Sequence, residues 1–139
     1  MVENSYGPII MDHLTHPRNT GEMEAPDGVA DVKNPACGDR MRLFIKVDGE
    51  RIVEATFLAS GCGPAIAASS MATVMLKGKT IEEALRISHT VVSEALGGLP
   101  PTKMHCAHLA EKAIRTAISN YQRCRKGSET SPEEKRRDP

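Results

Sequence analysis

Residues 41–59 read MRLFIKVDGERIVEATFLA and carry the strongest secondary-structure signal in the chain. Apolar side chains recur at every second residue over residues 41–47, and those of the second run are Val53, Ala55, Phe57 and Ala59. A period of two is typical of strands that bury one face. Because Asp48 and Gly49 separate the two runs and favour a tight turn, the sequence predicts an antiparallel hairpin.

The segments before this hairpin predict a short helix and a third strand. Ile9, Ile10, His13 and Leu14 have helical spacing, and the following HPRNTG ends the pattern with a proline and a glycine. The segment GVADVKN, residues 28–34, is brief and partly polar but fits one more strand.

The segments after the hairpin predict four helices. Pro64 suits the first turn of a helix that ends before Gly78, and Thr80 with Glu83 forms a capping box at the start of the next. Residues 88–96 form another short helix that stops at two glycines. A long final helix is indicated by an apolar stripe at Cys106, Ala110, Ala113, Ala117 and Tyr121.

This order of elements predicts an α+β domain. We expect a small antiparallel sheet of two to three strands with about five helices packed on one face, the last of them long. The domain is expected to span residues 1–125. Residues 126–139, KGSETSPEEKRRDP, contain no apolar residue and are expected to form a disordered polar tail.

Composition excludes several classes of partner. Lysine plus arginine and aspartate plus glutamate both total 18, and the chain has two tyrosines, two phenylalanines and no tryptophan, so nucleic acid is not an expected partner. The sequence has no apolar run of roughly 18 residues and no signal-peptide pattern, which predicts a soluble cytoplasmic protein with no membrane association. In a reducing compartment, its four cysteines are expected to be metal ligands or reactive thiols.

Three cysteines, Cys37, Cys62 and Cys106, fall at the ends of predicted elements and are 25 and 44 positions apart. Glycines near them allow close backbone approach, and a helix N-terminus favours a thiolate. Asp39 and His105 add an oxygen and a nitrogen, so the set could hold a zinc ion or one edge of an iron–sulfur cluster. The spacing matches no zinc finger, which leaves metal binding and thiol chemistry both open.

Some of these residues can also be explained without any metal or catalytic role. A cysteine is often a small core residue, and a histidine early in a helix can simply face solvent, as expected for His13, His16, His89 and His108. Cys124 follows Cys106 by 18 residues, which in a continuous helix is about 27 Å. Cys124 is therefore not expected to share the site.

Four segments, DHLTHPRNTG, NPACGD, SGCGPAIAASS and LPPTKMHCAHLAEKAI, resemble the signature blocks of the U-type iron–sulfur cluster assembly scaffolds, the family of IscU and the NifU N-terminal domain. The resemblance covers roughly residues 5–124 and implies a compact α+β platform that is not an enzyme. It implies a labile [2Fe-2S] cluster on Cys37, Cys62 and Cys106, with Asp39 or His105 as the fourth ligand. Iron and sulfur would be delivered to it, the sulfur by a cysteine desulfurase of the IscS or NifS type, and the cluster would pass to ferredoxin and other apo iron–sulfur proteins.

Two details refine the resemblance. The 43 residues between Cys62 and Cys106 leave no room for the insertion of the SufU branch, which favours the housekeeping scaffold type. The family stretch LPPVK, which Hsp70 and J-protein chaperones recognise, reads LPPTK here, formed by Leu99, Pro100, Pro101, Thr102 and Lys103. A cluster within one chain and a cluster bridging a homodimer both remain open.

The same residues allow two other functions. A structural or storage zinc protein would use the same ligands in a closed site. A thiol enzyme would use Cys106 as nucleophile and His105 as base, although neighbouring helix residues point about 100° apart. Within the scaffold interpretation, Cys106 is the first candidate for the persulfide acceptor, because Lys103, His105 and the helix N-terminus should favour its thiolate. Cys37 is the second candidate.

Overall fold

The computed structural model describes residues 7–34 and 38–126, the last three of them as backbone alone. In chain order the elements are α1 (Pro8–Thr15), β1 (Gly28–Asn34), β2 (Asp39–Asp48), β3 (Arg51–Ser60), α2 (Gly63–Leu76), α3 (Ile81–Ala84), α4 (His89–Ala95) and α5 (Met104–Lys126), with a 3-10 turn at Pro101–Lys103. The predicted α+β class, the three-stranded sheet and the long last helix are confirmed. Helix α5 reaches Lys126, the first residue of the predicted tail, and residues 127–139 lie outside the described residues.

The sheet is a meander in which β2 pairs antiparallel with β1 on one side and β3 on the other. Leu43 stands opposite both Ala30 and Phe57, and all three are buried. Helix α5 covers this face along β1 and β2, while α2 covers it along β3. The hairpin that the alternating pattern predicts is therefore the centre of the core.

The prediction was wrong at the start of the second hairpin strand. Ile52 is buried, whereas Val53 is 44% exposed. The ladder pairs Lys46 with Glu54 but Val47 with Ile52, so Val53 is an extra residue with no partner in the register. This is a β-bulge, and it shifts the inward alternation by one residue.

Close packing fixes how α5 crosses the sheet. A Cβ atom on Gly28 would lie 2.5 Å from the carbonyl oxygen of Ala117, so only glycine permits this approach. Nearby, the side-chain amide of Asn120 donates to the carbonyl oxygen of Val29 at 2.7 Å. These contacts determine where the N-terminal end of α5, with Cys106, meets the beginning of β2.

The predicted starts of α2, α3 and α4 agree with the structure. Thr80 and Glu83 form the reciprocal capping box at α3, and the Ser88 hydroxyl accepts from the Val91 amide at the start of α4. Pro64 lies in the first turn of α2. None of the helices in the described part of the chain is both long and apolar enough to cross a membrane.

His13 was expected to face solvent, but it is only 6% exposed. Its Nδ1 lies 2.7 Å from the hydroxyl of Ser70, which also accepts from the backbone amide of Arg18 at 2.9 Å. The Ser70 hydroxyl also has one proton to donate, and Nδ1 of a neutral imidazole can accept it. Burial lowers the pKa of His13, and the charge of Arg18 lowers it further, against the opposing charge of Asp12.

Because the pKa of His13 is lowered in the folded protein, we expect the protein to lose stability in mild acid. The unfolded chain protonates His13 near pH 6.5 while the folded chain resists, so the unfolded state binds more protons as the pH falls below about 6.5. We expect His13 to lower the free energy of unfolding there by up to about 1.4 kcal/mol per pH unit. Urea denaturation at pH 7.5 and pH 5.5 measures this change.

The control variant is His13→Asn, which keeps an acceptor for Ser70 but does not titrate. We expect its stability to vary less with pH than that of the wild type. Equal pH dependence in the two proteins would show that other groups cause the effect.

Candidate metal centre

Three element ends converge on one side of the sheet. Asp39 is the first residue of β2, Cys62 is the N-cap of α2, and His105 and Cys106 lie in the first turn of α5. One ligand atom from each of these four residues lies within 4.8 Å of all the others. The structure thus brings together four of the five predicted metal ligands.

The Asp39 carboxylate lies at the centre of the group and is only 2% exposed. Its Oδ1 accepts from the backbone amide of Cys62 at 3.1 Å. Its Oδ2 is 3.5 Å from the Cys62 sulfur, 3.8 Å from the Cys106 sulfur and 3.4 Å from Nε2 of His105. One oxygen therefore anchors the side chain, and the other faces both sulfurs and the imidazole.

The two described thiols face each other. The sulfur atoms of Cys62 and Cys106 are 3.4 Å apart, and both cysteines are free. Two thiolates on one tetrahedral ion, each about 2.3 Å from it, would be separated by about 3.8 Å. A thiophilic ion could therefore bridge them with a small movement of either side chain.

Gly61 makes room for the Asp39 carboxylate. Its φ is +136°, and a Cβ atom there would lie 2.1 Å from Oδ1 of Asp39. A side chain at this position would displace the carboxylate and also strain the backbone. The sequence pattern alone did not predict this contact between Gly61 and Asp39. The position of Gly61, between a predicted strand and the cap of a predicted helix, was the one signal that pointed to a special backbone conformation.

The surroundings of Cys106 oppose ionisation of its thiol. Burial raises the pKa of Cys106, and the hydrogen bond with Cys62 and the nearby charges of Cys62 and Asp39 raise it further. Only Lys103 acts in the opposite direction. The expectation that its neighbours favour the Cys106 thiolate is therefore wrong for this state of the protein. A bound cation would reverse the balance, because a coordinated thiol loses its proton.

The remaining two cysteines differ in their relation to this group. Cys37 lies outside the described residues, but it directly precedes Gly38, and the Gly38 amide donates to the carbonyl oxygen of Asn34 at 2.7 Å. Cys124 is on α5, which is continuous from Cys106 onward and therefore places the two residues about 27 Å apart. Cys124 is thus too far away to join the centre.

The LPPTK stretch forms the connection into α5. Leu99 is buried, and its backbone amide donates to the Ser93 hydroxyl at 3.0 Å. Pro101 and Thr102 are exposed, and Lys103 ends the 3-10 turn just before Met104. The stretch is anchored at one end and presents its middle to solvent beside the metal centre.

The chain is similar to known proteins over most of its length. The profile of the NifU-like N terminal domain family matches residues 5–128. Iron–sulfur cluster assembly scaffold protein IscU 1 of Archaeoglobus fulgidus is 55% identical over 116 residues, covering 84% of this chain and 76% of that protein. IscU of Azotobacter vinelandii is 49% identical over 121 residues, covering 84% of this chain and 94% of that protein.

Solved structures agree with the fold. A crystal structure of a candidate iron–sulfur cluster assembly scaffold protein for the SUF system from Fervidobacterium islandicum AW-1 has a TM-score of 0.70 and 26% identity, covering 81% of this chain and 96% of that one. A NifU-like protein N-terminal structure from Brucella abortus has a TM-score of 0.64 at 19% identity, covering 94% of this chain and 99% of that one. From its family match and its close relatives, this chain is a member of the NifU-like N-terminal domain family.

Proposed function

We propose that this protein is a scaffold on which an iron–sulfur cluster is built from delivered iron and sulfur and from which the cluster is passed on. The observation that carries the proposal is the convergence of Asp39, Cys62, His105 and Cys106 within 4.8 Å. The similarity to IscU scaffold proteins supports the same function.

The ligand set suits a cluster that must leave. Two described thiolates bind iron firmly, and Cys37, two residues from Asp39, supplies a third. The fourth position goes to Asp39 or His105, which bind cluster iron less firmly than a thiolate would. We propose a [2Fe-2S] cluster as the cargo, held loosely at this fourth position.

Asp39 has the better geometry for the fourth position. Its Oδ2 faces both sulfurs, while its Oδ1 is held by the Cys62 amide. His105 reaches the same oxygen from the outer side, and its side chain is 31% exposed. The imidazole is therefore placed to bind the iron in place of the carboxylate when Asp39 dissociates from it.

Sulfur delivery imposes a condition on Cys106. We propose a cysteine desulfurase as the sulfur donor. A scaffold thiolate attacks the outer sulfur of the desulfurase persulfide, the S–S bond breaks, and the desulfurase cysteine leaves as a thiolate while the persulfide forms on the scaffold. The Cys106 side chain is 1% exposed and its pKa is raised by burial, so the start of α5 must open before Cys106 can accept sulfur. Cys37 is the alternative acceptor.

We propose further partners from the family resemblance. Ferredoxin and other apo iron–sulfur proteins would receive the cluster. Hsp70 and J-protein chaperones would bind the exposed middle of the LPPTK stretch, Pro101 and Thr102. Because this stretch leads directly into the first turn of α5, chaperone binding there could change the position of Cys106 in the metal centre.

Anaerobic reconstitution tests the proposal. The protein is incubated with ferrous iron, cysteine, an active cysteine desulfurase and a thiol reductant that converts persulfide sulfur to sulfide, and visible absorption is recorded with counts of iron and acid-labile sulfide. We expect matched iron and sulfide bound to the protein. If no cluster forms while the desulfurase is active alone, the scaffold function is ruled out and a zinc protein becomes the better explanation.

Asp39→Ala distinguishes a transfer scaffold from a structural zinc protein. If Asp39 is a weak ligand or a base that helps the cluster leave, the variant should hold iron and sulfide several-fold longer and donate them more slowly to apo-ferredoxin. In a zinc protein, losing a ligand should weaken metal binding and lower the melting temperature, because metal binding contributes directly to folding. Cluster lifetime and transfer rate are measured beside the wild type.

Asp31→Ala is the matched control, because it removes a carboxylate that pairs with Arg40 on the solvent side of the sheet. It should leave lifetime and transfer unchanged. An Asp39→Ala protein that loses its cluster faster would exclude Asp39 from cluster release and make His105 the next ligand to test.

A further inference from the structure

A second group of metal-ligating side chains lies where α4 meets α5. His89 is the first residue of α4, and His108 and Glu111 are on α5. One ligand atom from each of the three lies within 4.8 Å of the other two. None of these residues belongs to the group around Asp39.

Hydrogen bonds hold the group in place. Oε1 of Glu111 is 2.8 Å from Nδ1 of His89 and also accepts from the His89 backbone amide at 2.8 Å. Oε2 of Glu111 is 2.9 Å from the Arg115 guanidinium. The rings of His89 and His108 stack with centroids 3.9 Å apart and planes at 22°. His89 and Glu111 are therefore positioned before any ion arrives, whereas the exposed His108 ring must turn out of the stack to point a nitrogen at the same ion.

We infer that His89, His108 and Glu111 bind a divalent transition-metal ion, separately from the cysteine centre. Two imidazoles and one carboxylate are donors that suit Fe²⁺, Co²⁺, Ni²⁺ and Zn²⁺. Two donors at right angles, each about 2.1 Å from an ion, are about 3 Å apart. Nδ1 of His89 and Oε1 of Glu111 already have nearly that separation. An ion bound there would replace the hydrogen bond between them, and the neutral His89 ring would carry its one proton on Nε2.

The second site is open and exchangeable. His108 is exposed, so water completes the coordination of the ion. The positive charges of Lys112 and Arg115 lie on the same helix and weaken the attraction for a cation. Arg115 in turn holds the Glu111 carboxylate in one orientation, as outer hydrogen-bond partners of metal ligands do.

The two metal sites are neighbours, so an experiment must tell them apart. His105 and His108 line one shallow pocket together with Lys33 and Lys112. They are three residues apart on α5, a rise of about 4.5 Å. Cobalt(II) distinguishes the sites, because thiolate ligands give strong sulfur-to-metal charge-transfer absorption and nitrogen and oxygen ligands do not.

The test is an anaerobic Co²⁺ titration of the reduced protein followed by ultraviolet and visible absorption. We expect the wild type to bind one Co²⁺ with thiolate charge transfer and a second without it. In His108→Ala the second binding step should weaken about tenfold or more, while the thiolate band is unchanged. His89→Ala should weaken the same step. His108 is exposed and alanine is a good helix former, so the first variant should fold normally.

His16→Ala is the matched control, because His16 is an exposed histidine outside both groups. It should keep both binding steps. The inference is overturned if the wild type shows no sulfur-free step, if His108→Ala matches His16→Ala, or if either His89→Ala or His108→Ala leaves that step intact.

Discussion

Replacing Cys62 or Cys106 by serine is expected to lower the amount of stably bound cluster by about 10- to 100-fold. The two sulfurs face each other at 3.4 Å, so each replacement removes one of the two described sulfur ligands. A serine hydroxyl is a hard donor that stays protonated and binds cluster iron poorly. We expect the same result for Cys37→Ser. Iron and sulfide counts after reconstitution and desalting measure the loss.

Cys124→Ser is the matched control and should load cluster like the wild type, because α5 places this residue about 27 Å from Cys106. Circular dichroism should give the same helix content for all four variants. Loss of the cluster in Cys124→Ser would contradict a site within one chain and would point to a cluster shared between two copies.

Gly61→Ala is expected to have the second large effect, acting through Asp39. The new Cβ would lie 2.1 Å from Oδ1 of Asp39, and the φ of +136° is one that alanine rarely adopts. Backbone strain alone should cost about 1–3 kcal/mol. Displacing the carboxylate from the Cys62 amide should cost about 1–3 kcal/mol more. Urea denaturation measures this loss. Because the carboxylate is displaced, the reconstituted variant should also donate its cluster more slowly to apo-ferredoxin, as Asp39→Ala does.

Gly78→Ala separates the two causes. Gly78 also has a positive φ, +87°, but nothing lies within 4 Å of a Cβ there. This control should lose stability through strain while transferring its cluster at the wild-type rate. If both glycine variants transfer cluster at the same rate, the contact between Gly61 and Asp39 does not affect cluster release.

Local sequence patterns were sufficient for most of the fold. The hairpin, the capping box at Thr80 and the long last helix follow from side-chain periodicity and from caps within a few residues of each helix end. The bulge at Val53 could not be predicted from the period-two pattern, because an extra residue in one strand depends on the register with the partner strand. Alternation within a single strand contains no information about that register.

Side-chain burial was harder to predict than element type. His13 looks like a surface histidine in the sequence, yet it is buried against Ser70, 57 positions away. His89 and Glu111 gave no signal at all, because they are 22 positions apart and meet only when α4 packs on α5. A motif search finds partners that are close in sequence, whereas the members of each of these two pairs are far apart in sequence.

By itself, the sequence determined the elements, their order and the candidate ligands, because apolar side-chain periodicity, caps and signature motifs are encoded within short segments. Only the tertiary structure decided that one oxygen of the Asp39 carboxylate faces both sulfurs and that burial opposes ionisation of the Cys106 thiol. Asp39 and Cys106 are 67 positions apart, and their distance depends on how α5 crosses β1. That crossing is set by the close approach at Gly28, where the packing of two distant segments, rather than any local pattern, fixes the geometry.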